Sequence, residues 1–597
     1  MKASEYIARR LARWGLDTCF MVTGGGAMHL NDSFGADPSF STRCMHHEQA
    51  CAIAAEGYAR TTGRPAVVNV TSGPGSINAL NGVFGAYTDS VPMIVVAGQV
   101  RRDTMTTLAD VPGLRQLGDQ EARMIEMVRP ITVWAESVTD PNDLPQQLDR
   151  AMIACMSGRP GPAWLEVPVD VQGADIASAD PDSPLPEVAS ALLPPDPSVY
   201  ADVLERVAAA KRPLILAGTG VRAAGVADLL VPLAETLGVP VATAWTHDSF
   251  PSDHPLYAGR PGTIGTRAGN FVTQSTDLLL VLGSRLNIRQ VSYNWQEFAP
   301  HATLIWVEID GAELCKPYVA PDVPIVADLR HFLPGLLEAA RAESGPPAHA
   351  GWGDWCRDVR SRFEPRAEDY PARPEGINPY HLIMELGGLL TSEHVVVCGD
   401  ATACIVPFQT LPVPPGMRLF SNSGCASMGY DLPAALGASV GAPDRPVVCL
   451  AGDGSIMMNL QELQTLAAWH PDLLVLILDN GGYLSILQTQ RNFFGREFGA
   501  SPRSQVTFPD FAAVAAGFGL DVTRLDERGD WRSQLAEVVA RRGPRVCVAP
   551  LDRDQEFEPR LKSRMHQGRI TTPALDDMYP HLDDETLAEV RQSALLL

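Results

Sequence analysis

VVCLAGDGSIMMNLQELQTLAAWHPDLLVLILDNGGY, the segment from Val447 to Tyr483, decides the fold of this chain. It reads as an apolar strand, a glycine-flanked aspartate, an amphipathic helix, a second apolar strand and an Asp-Asn-Gly-Gly turn. Asp453 and Asn480 lie 27 positions apart. In a βαβ unit this spacing places both side chains at the carboxyl ends of neighbouring parallel strands, where α/β sheets hold their ligands. The segment therefore predicts an α/β fold with a ligand crevice at these two residues.

The same two side chains suit a magnesium ion. Carboxylate and amide oxygens are hard ligands, and Mg²⁺ takes few protein ligands and completes its shell with substrate phosphates. Gly454 and Ser455 open the following helix, whose free N–H groups favour an anion at the same place. A metal-bridged diphosphate satisfies both features. The alternative is an ordinary βαβ turn, since GDG alone is common.

Two other phosphate-binding motifs are excluded at this position. No Gly-Lys-Ser/Thr follows, so the segment is not a P-loop. Met457 stands where the third glycine of a dinucleotide fingerprint is required.

Composition narrows the class of protein. The 597 residues carry a net charge of −23, which argues against nucleic acid as a partner because phosphates require a basic face. No apolar run is long enough for a membrane span, and the first residues lack the apolar core of a signal peptide. Eleven cysteines without C-x-x-C pairs predict free thiols in a reducing cytoplasm.

Two proline-rich stretches, 179–196 and 344–380, are predicted to be linkers. The segments between them alternate continuously apolar strands with helices, which is typical of doubly wound parallel sheets covered on both faces. A polar tail without a sheet pattern follows; a substrate lid, an oligomer contact and a disordered end are the alternatives for it. The predicted units are 1–178, 195–340, 378–552 and the tail 553–597.

These motifs resemble those of the thiamine diphosphate enzymes related to acetohydroxyacid synthase. The family carries GDG followed by an Asn pair, varied here to Asp479-Asn480, and it has pyrimidine-binding, central and diphosphate-binding domains in this order. The resemblance implies thiamine diphosphate and Mg²⁺ as cofactors, with Asp453, Asn480 and the Gly482 carbonyl as metal ligands. The residues that it implies around the diphosphate are Gly452, Gly454, Ser455, Tyr483 and, from VVVCGDATACIVP, Thr402.

A glutamate of the first unit takes the activating role in this comparison. MHHEQACAIAAEGYAR resembles the family's R-H-E-Q-x-A segment, in which the glutamate hydrogen-bonds the pyrimidine N1′ and promotes deprotonation of the thiazolium. The match assigns that role to Glu48 and places His47 beside it, while His46 replaces the family arginine. A plain charge at a helix N-terminus is the alternative for Glu48. Family precedent sets Glu48 of one subunit over the cofactor of another, which implies a homodimer or homotetramer with active sites at the subunit interface.

The aminopyrimidine ring has its own candidate loop. SNSGCASMGYD, from Ser421, resembles the family segment that grips this ring. The match makes Met428 the wedge that bends the cofactor and lets the Ala426 carbonyl and the Met428 N–H bind the ring. A plain core position is the alternative for Met428.

Three further loops of the first unit are candidates for the reacting centre. MVTGGGAMHL brings Gly25 and Gly26 after the first strand and puts His29 within reach of a substrate, with a helix-surface histidine as the alternative. TSGPGSIN, with Ser72, resembles the family TSGPGATN loop, whose glycines let backbone approach a ligand. QLGDQE resembles the family F-Q-E segment, which makes Gln120 the substrate-side glutamine.

Three positions depart from ordinary acetohydroxyacid synthases. Val133 stands where those enzymes have a lysine beside the substrate, Thr489 stands where a tryptophan favours 2-ketobutyrate, and Asp119 replaces the phenylalanine of F-Q-E. Loss of a cation and of bulky rings predicts a wider pocket and a larger, more polar acceptor. Several segments also look like a subgroup linked to surface-polysaccharide and unusual-sugar pathways.

Two stretches of the central unit are candidates for binding a flavin. GRPGTIGTRAGN and GSRLNIR resemble the FAD-binding stretches of the synthases, with Arg285 and Arg289 retained and Ile288 in place of the usual acidic residue. Relatives with and without flavin share this domain, so FAD-bound and flavin-free forms both stay open. A surface ion pair is the alternative for Arg289.

The leading hypothesis is a carboligase with two small-molecule substrates. Pyruvate or a similar 2-keto acid would lose CO₂, and the two-carbon unit would join a carbonyl acceptor such as a keto-sugar. The alternatives are an acetolactate synthase proper, a thiamine-dependent C–C hydrolase of a cyclic diketone, and a silent homologue with a regulatory or scaffold role.

Overall fold

A computed structural model of the protein describes residues 1–109, 111–176, 179–188, 192–245, 248–343, 349–566 and 569–597. Three six-stranded sheets of parallel strands follow one another along the chain, and a two-stranded hairpin lies in the tail. Helices cover the sheets, so the predicted three-sheet α/β architecture is confirmed. No helix in the described part of the chain is long and apolar enough to span a membrane.

The first sheet has the strand order β2-β1-β3-β4-β6-β5. Its strands are β1 Thr18–Met21, β2 Ser41–Cys44, β3 Val67–Val70, β4 Met93–Gln99, β5 Trp134–Ser137 and β6 Pro162–Pro168. Its helices are α1 Ala3–Arg13, α2 Met28–Ala36, α3 Glu48–Thr62, α4 Pro74–Asn78, α5 Leu80–Thr88, α6 Met124–Val128, α7 Leu144–Met156 and α8 Val169–Gln172. The order reverses direction between β1 and β3, which makes the loops after these two strands the expected ligand crevice.

The central sheet has the order β12-β11-β10-β7-β8-β9, the 3-2-1-4-5-6 arrangement of dinucleotide-binding domains when read from β9. Its strands are β7 Pro213–Ala217, β8 Val241–Thr243, β9 Tyr257–Gly259, β10 Leu278–Leu282, β11 Thr303–Glu308 and β12 Val323–Val326. Its helices are α9 Pro197–Ala209, α10 Gly220–Ala223, α11 Leu230–Leu237, α12 Arg267–Ser275, α13 Ile288–Val291, α14 Leu329–Ala342 and α15 Ala350–Phe363.

The third sheet repeats the order of the first, β14-β13-β15-β16-β18-β17. Its strands are β13 Val395–Cys398, β14 Arg418–Phe420, β15 Val447–Gly452, β16 Leu473–Asp479, β17 Asp521–Arg524 and β18 Arg545–Pro550. Its helices are α16 Pro379–Leu389, α17 Thr402–Thr410, α18 Asp431–Gly441, α19 Asp453–Ile456, α20 Glu462–Trp469, α21 Leu484–Phe494, α22 Phe511–Gly517 and α23 Trp531–Ala540. The loops after β13 and β15 flank its reversal point.

The first and third sheets are joined by the packing of α3 on α18. Both helices carry small residues where they cross, so their backbones approach closely: a Cβ on Gly437 would overlap the carbonyl oxygen of Ala54. As a result, one hydrophobic core runs through both domains and includes Val68 of β3 and Cys449 of β15. The loops that precede α3 and α18 therefore sit on a common rigid support.

Two regions differ from the sequence-based expectations. The stretch 344–380, expected to be a linker, contains α15, whose Trp352 and Trp355 are buried in the central core. The tail, in which a disordered end was one alternative, forms strands β19 Arg564–His566 and β20 Arg569–Thr571 and helix α24 Asp584–Leu595. Apolar residues far apart in the chain bury one another here, and local pattern does not reveal such pairing.

Candidate functional site

Asp453 and Asn480 meet at the carboxyl edge of the third sheet. Strands β15 and β16 are parallel neighbours in the register Gly452↔Leu478, so the residues that follow them emerge side by side. The N–H of Gly482 donates to Asp453 Oδ2 at 3.1 Å and to Asn480 Oδ1 at 3.2 Å. Asp453 Oδ1 accepts from the Gly454 N–H at 2.7 Å. Asp453, Asn480 and Gly482 thus form one compact group, the clamp.

Electrostatics favour a cation in this group. Asp453 is only 2% exposed, and burial raises the pKa of its carboxyl to about 7, opposed by the Gly454 N–H and reinforced by the charge of Asp479. A buried carboxylate is costly unless a positive charge compensates it. Within the described ranges no three His, Cys, Asp or Glu side chains group as a metal site. A metal here would rely on one carboxylate with amide and carbonyl oxygens, a set that suits Mg²⁺.

Glycine, hydroxyl and aromatic groups line the crevice beside the clamp. A Cβ on Gly454 would overlap the ring of Tyr483, so only glycine fits this contact. Ser455 Oγ accepts from the Gly429 N–H at 2.8 Å. Thr402, the first residue of α17, is buried and its Oγ1 has no hydrogen-bond partner among the described residues. An unpaired buried hydroxyl at a helix N-terminus is a fitting partner for a phosphate oxygen.

The loop 421–430 places Met428 against this crevice. A Cβ on Gly454 would lie 3.4 Å from Met428 Cε, and Met428 is half-buried, so its side chain lies at the clamp rather than in a hydrophobic core. Ala426 is exposed and adopts φ +52°, a conformation that non-glycine residues rarely take. Asn422 O accepts from the Ala426 N–H at 2.7 Å. Ala426 and Met428, to which the family resemblance assigns ring binding, therefore lie in one turn, and Met428 lies against Gly454.

In the first domain, Glu48 is the first residue of α3, which follows β2 after a short loop of Met45, His46 and His47. It is 9% exposed and its Oε2 accepts from Asn78 Nδ2 at 2.9 Å. His47 is the N-cap of α3: its Nδ1 accepts from the Gln49 N–H at 3.0 Å. That bond leaves the Nε2 proton of a neutral ring as a donor. His46 is exposed, and its N–H donates to Glu462 Oε1 at 3.1 Å.

The loops after β1 and β3 converge next to Glu48. Gly26 N donates to Thr71 Oγ1 at 3.1 Å, and a Cβ on Gly26 would overlap Ser72 Oγ. Gly25 is exposed, with open space where a Cβ would stand. Gln120 has φ +63°, and its carbonyl packs against Gly73. The fold thus brings Gly25, Gly26, Ser72 and Gln120 to the reversal point of the first sheet.

His29 lies in the first turn of α2, directly after the loop of Gly25 and Gly26. Its ring packs against the end of α8, where a Cβ on Gly173 would stand 3.1 Å from Nε2. His29 is half-buried, and its reach to a substrate stays a prediction.

Sequence reasoning missed the residue that shapes the Gln120 loop. Glu121 Oε1 accepts from the N–H and the hydroxyl of Thr106, and Oε2 accepts from Leu117 N at 3.0 Å. Burial opposes ionisation, but these hydrogen bonds hold the pKa of Glu121 below its ordinary value. The signal for this role was available in the sequence, because Glu121 occupies the position of the glutamate in the family F-Q-E segment.

The positions that depart from the synthases are all exposed. Val133 packs its methyl groups against Gly161. The Thr489 hydroxyl donates to the Ser485 carbonyl of its own helix at 3.0 Å, and Asp119 lies in the loop before Gln120.

The two arginines of the central domain are separated. Arg285 lines a cavity of about 420 Å³ where all three domains meet, together with Gly220, Glu308 and Asp328. Arg289 is exposed outside that cavity and lies near Asp400, where its charge opposes the effect of burial on the pKa of that carboxyl.

Comparison with known proteins bears on the whole chain. Three family models match it in order: the N-terminal TPP binding domain of thiamine pyrophosphate enzymes at residues 1–121, their central domain at 200–336 and their C-terminal TPP binding domain at 394–549. The acetolactate synthase isozyme 1 large subunit of Escherichia coli K12 is 30% identical over 93% of this chain and 95% of its own length.

Two further relatives agree with this result. The acetolactate synthase large subunit of Parasynechococcus marenigrum is 33% identical over 92% of this chain and 87% of its own length. The chloroplastic acetolactate synthase of Arabidopsis thaliana is 30% identical over 94% of this chain and 83% of its own length. The clamp of the third domain and the matches along all three domains lead to one conclusion: the chain belongs to the thiamine pyrophosphate-dependent enzymes of the acetolactate synthase-like family.

Proposed function

We propose that this protein is a carboligase that releases CO₂ from pyruvate or a similar 2-keto acid and joins the two-carbon unit to a carbonyl acceptor. The observation that carries the proposal is the buried Asp453–Asn480 pair, with the unpaired Thr402 hydroxyl and the Met428 side chain beside it. A cation beside the carboxyl and a phosphate beside the hydroxyl would satisfy these buried polar groups. Thiamine diphosphate, when bound, supplies the electron sink for breaking and forming the C–C bonds.

The third domain holds the charged end of the cofactor in this proposal. Asp453, Asn480 and the Gly482 carbonyl would hold Mg²⁺, and the Thr402 hydroxyl and the N–H groups at the start of α19 would receive the diphosphate oxygens. Tyr483 closes over Gly454 and leaves no room for a side chain there. These groups position the cofactor and exclude water from the diphosphate.

Glu48 controls a proton at the other end of the site. Its carboxyl would hold a hydrogen bond to the pyrimidine N1′ from its place at the start of α3. We propose that a second copy of the chain brings Glu48 over the clamp, in a homodimer or homotetramer. Exposed apolar side chains on α4 and α5 support a subunit contact near Glu48: Ile77, Phe84 and Tyr87.

The acceptor is proposed to be larger and more polar than a simple 2-keto acid, such as a keto-sugar. Val133, Thr489 and Asp119 are exposed and smaller or more polar than the residues they replace. A site without the lysine selects less strongly for a small anionic acceptor.

A flavin is proposed for the cavity where the three domains meet. The cavity lies at the reversal point of the central sheet, between the loops after β7 and β10, which is where dinucleotides bind in sheets of this order. Glu308, the last residue of β11, suits a ribose hydroxyl, and Arg285 suits a diphosphate. The visible absorbance spectrum of the purified protein after FAD addition and gel filtration tests this assignment, with Arg285→Ala expected to lose the retained flavin.

A cytoplasmic location is also proposed. The structure records all eleven cysteines as free thiols, and most of them are buried. Free thiols in this number suit a reducing compartment.

The test of the main proposal is incubation with pyruvate, thiamine diphosphate and Mg²⁺, with CO₂ release and product mass as readouts. Keto-sugars and 2-keto acids are offered as acceptors. We expect CO₂ release that Glu48→Gln abolishes and that Glu5→Gln, at an exposed position of α1, leaves unchanged. Consumption of a cyclic diketone without CO₂ would identify a hydrolase instead, and inactivity with every substrate would identify a silent homologue.

A further inference from the structure

We propose that Asn422 and Glu56 form a positioning pair that holds the loop 421–430 in the shape required to receive the aminopyrimidine ring. The inference rests on the proposed function, because that function gives the loop its ring-binding role. Neither residue touches the cofactor in this proposal. They act through Ala426 and Met428, and they connect the third domain to the first domain of the same chain.

Asn422 organises the loop from inside. It is 2% exposed, and its Oδ1 accepts from the N–H groups of Cys425 and Ala426, both at 3.2 Å. Its backbone carbonyl also accepts from the Ala426 N–H at 2.7 Å. One residue therefore closes the turn that leads to Met428.

The same side chain anchors the loop to α3. Asn422 Nδ2 donates to Glu56 Oε2 at 3.3 Å across 366 positions of sequence. A Cβ on Gly85 would overlap Nδ2, so the amide packs closely against α5 on that side. An amide is the side chain that offers a donor and an acceptor in one planar group, and both are used here.

Glu56 is a rigid anchor. It is fully buried, and its Oε1 accepts from Arg60 Nε at 2.9 Å. Arg60 in turn donates to Asp89 Oδ2 at 2.7 Å. The carboxyl is therefore fixed from one side by a guanidinium, and it presents its second oxygen to Asn422.

Ala426 explains why the loop needs such support. Its φ of +52° is strained for a residue with a Cβ, and a strained turn persists only when its surroundings hold it. Without the Asn422 hydrogen bonds the turn should relax. The Ala426 carbonyl and the Met428 N–H would then leave the positions that the ring requires.

The test measures binding of thiamine diphosphate with Mg²⁺ by isothermal titration calorimetry, and activity at saturating cofactor. Asn422→Ala is expected to raise the Kd by about tenfold, the effect of one or two lost hydrogen bonds. Glu56→Gln is expected to raise it several-fold, because a glutamine keeps only one acceptor oxygen and then presents an NH₂ donor to either Asn422 or Arg60. The double variant should bind no worse than Asn422→Ala, since both changes break the same connection.

Three further measurements separate positioning from general damage. Asp149→Asn weakens the buried Arg10–Asp149 ion pair in the first domain and should lower the melting temperature without changing the Kd. The kcat of Glu56→Gln at saturating cofactor should stay within about twofold of the starting protein, because the bound ring then holds Met428 in place. Ala426→Gly removes the strain, so Asn422→Ala should cost less in that background.

Equal Kd values for the starting protein, Asn422→Ala and Glu56→Gln would overturn the inference and leave the proposed function intact. An unchanged penalty in the Ala426→Gly background would also overturn it. No binding of thiamine diphosphate by the starting protein would overturn the proposed function as well. If Asn422→Ala fails to fold, Glu56→Gln carries the test, because it preserves the buried volume.

Discussion

Gly57 of α3 lies directly against the backbone of Ala434 of α18, and a Cβ on Gly57 would overlap the Ala434 carbonyl oxygen. This contact sets how closely the first and third domains approach. Gly57 directly follows the Glu56 anchor and lies three positions before Arg60, so the spacing of the two helices also sets the position of the loop 421–430.

Replacement of Gly57 by alanine should lower stability. Alanine favours a helix over glycine by about 0.5–1 kcal/mol, but overpacking at a closely packed position costs about 1–3 kcal/mol, and the overlap with a backbone atom should dominate. We expect the midpoint of urea unfolding to fall. Gly35→Ala in α2 is the matched control, because its Cβ would enter open space, and it should stabilise the protein slightly. Equal shifts for both variants would contradict the close approach of α3 and α18.

Removal of the Asp453 charge should separate cofactor affinity from the stability of the protein without cofactor. We expect Asp453→Asn to weaken binding of thiamine diphosphate with Mg²⁺ by about 100-fold. Changes to residues that only support a metal ligand already weaken metal binding by about 10–100-fold, and Asp453 is itself a proposed ligand. The melting temperature without cofactor should not fall, because a buried carboxylate without a partner cation is costly. Asp479→Asn is the control; its carboxyl is half-exposed and near Arg524, and binding should change by a few-fold at most.

Filling the glycine contact at Tyr483 should impair the cofactor crevice. Gly454→Ala would push the Tyr483 ring and crowd Met428 Cε, so we expect the activity and the affinity for thiamine diphosphate to fall together. Gly388→Ala in α16 has open space around the new methyl group and should leave both unchanged. Calorimetry and initial rates measure the effect, and a Gly454→Ala enzyme with full affinity would place the crevice elsewhere.

Glu166 should make stability depend on pH. Burial raises the pKa of its carboxyl to about 7, against the opposing effect of hydrogen bonds such as the one from Gln99 Nε2 at 2.9 Å. The folded protein therefore binds a proton more tightly than the unfolded chain. The contribution of Glu166 to the free energy of unfolding is fully present below the ordinary glutamate pKa. It is lost as pH rises through 7, by up to about 3 kcal/mol.

Glu166→Gln should flatten that dependence. Glutamine can keep the hydrogen bond with Gln99 and carries no charge at any pH, so the variant should gain stability relative to the starting protein as pH rises from 5 to 8. Denaturant titrations at several pH values measure this difference. A difference that stays constant with pH would show that Glu166 titrates at its ordinary value.

The parts of the molecule that follow local pattern were predictable from the sequence. Asp453 and Asn480 meet because continuously apolar strands on both sides of one helix specify a parallel pair, and strand ends determine the crevice. Glu48 begins α3 as expected, because the change from strand to helix is visible in the residues themselves. The placement of these residues needed only periodicity and spacing.

The parts that depend on distant partners were not predictable. Asn422 and Glu56 carry no pattern that links them, since their contact exists only after α3 packs on α18. The family resemblance predicts a catalytic role for His47 beside Glu48, but only the structure reveals that His47 Nδ1 accepts from the Gln49 N–H. Trp352 and Trp355 lie between proline-rich runs that suggested a linker, because the core that buries them comes from other parts of the chain.

The tail gives the central domain an unusual order of assembly. Leu575, Val590 and Ala594 are part of the same core as Trp306 of β11 and Trp352 of α15, so that core is complete only after residues far beyond the third domain have been synthesised. On the ribosome, the third domain has emerged in full before the segment that closes the second becomes available. The central domain should therefore be the last of the three to reach its final stability during translation.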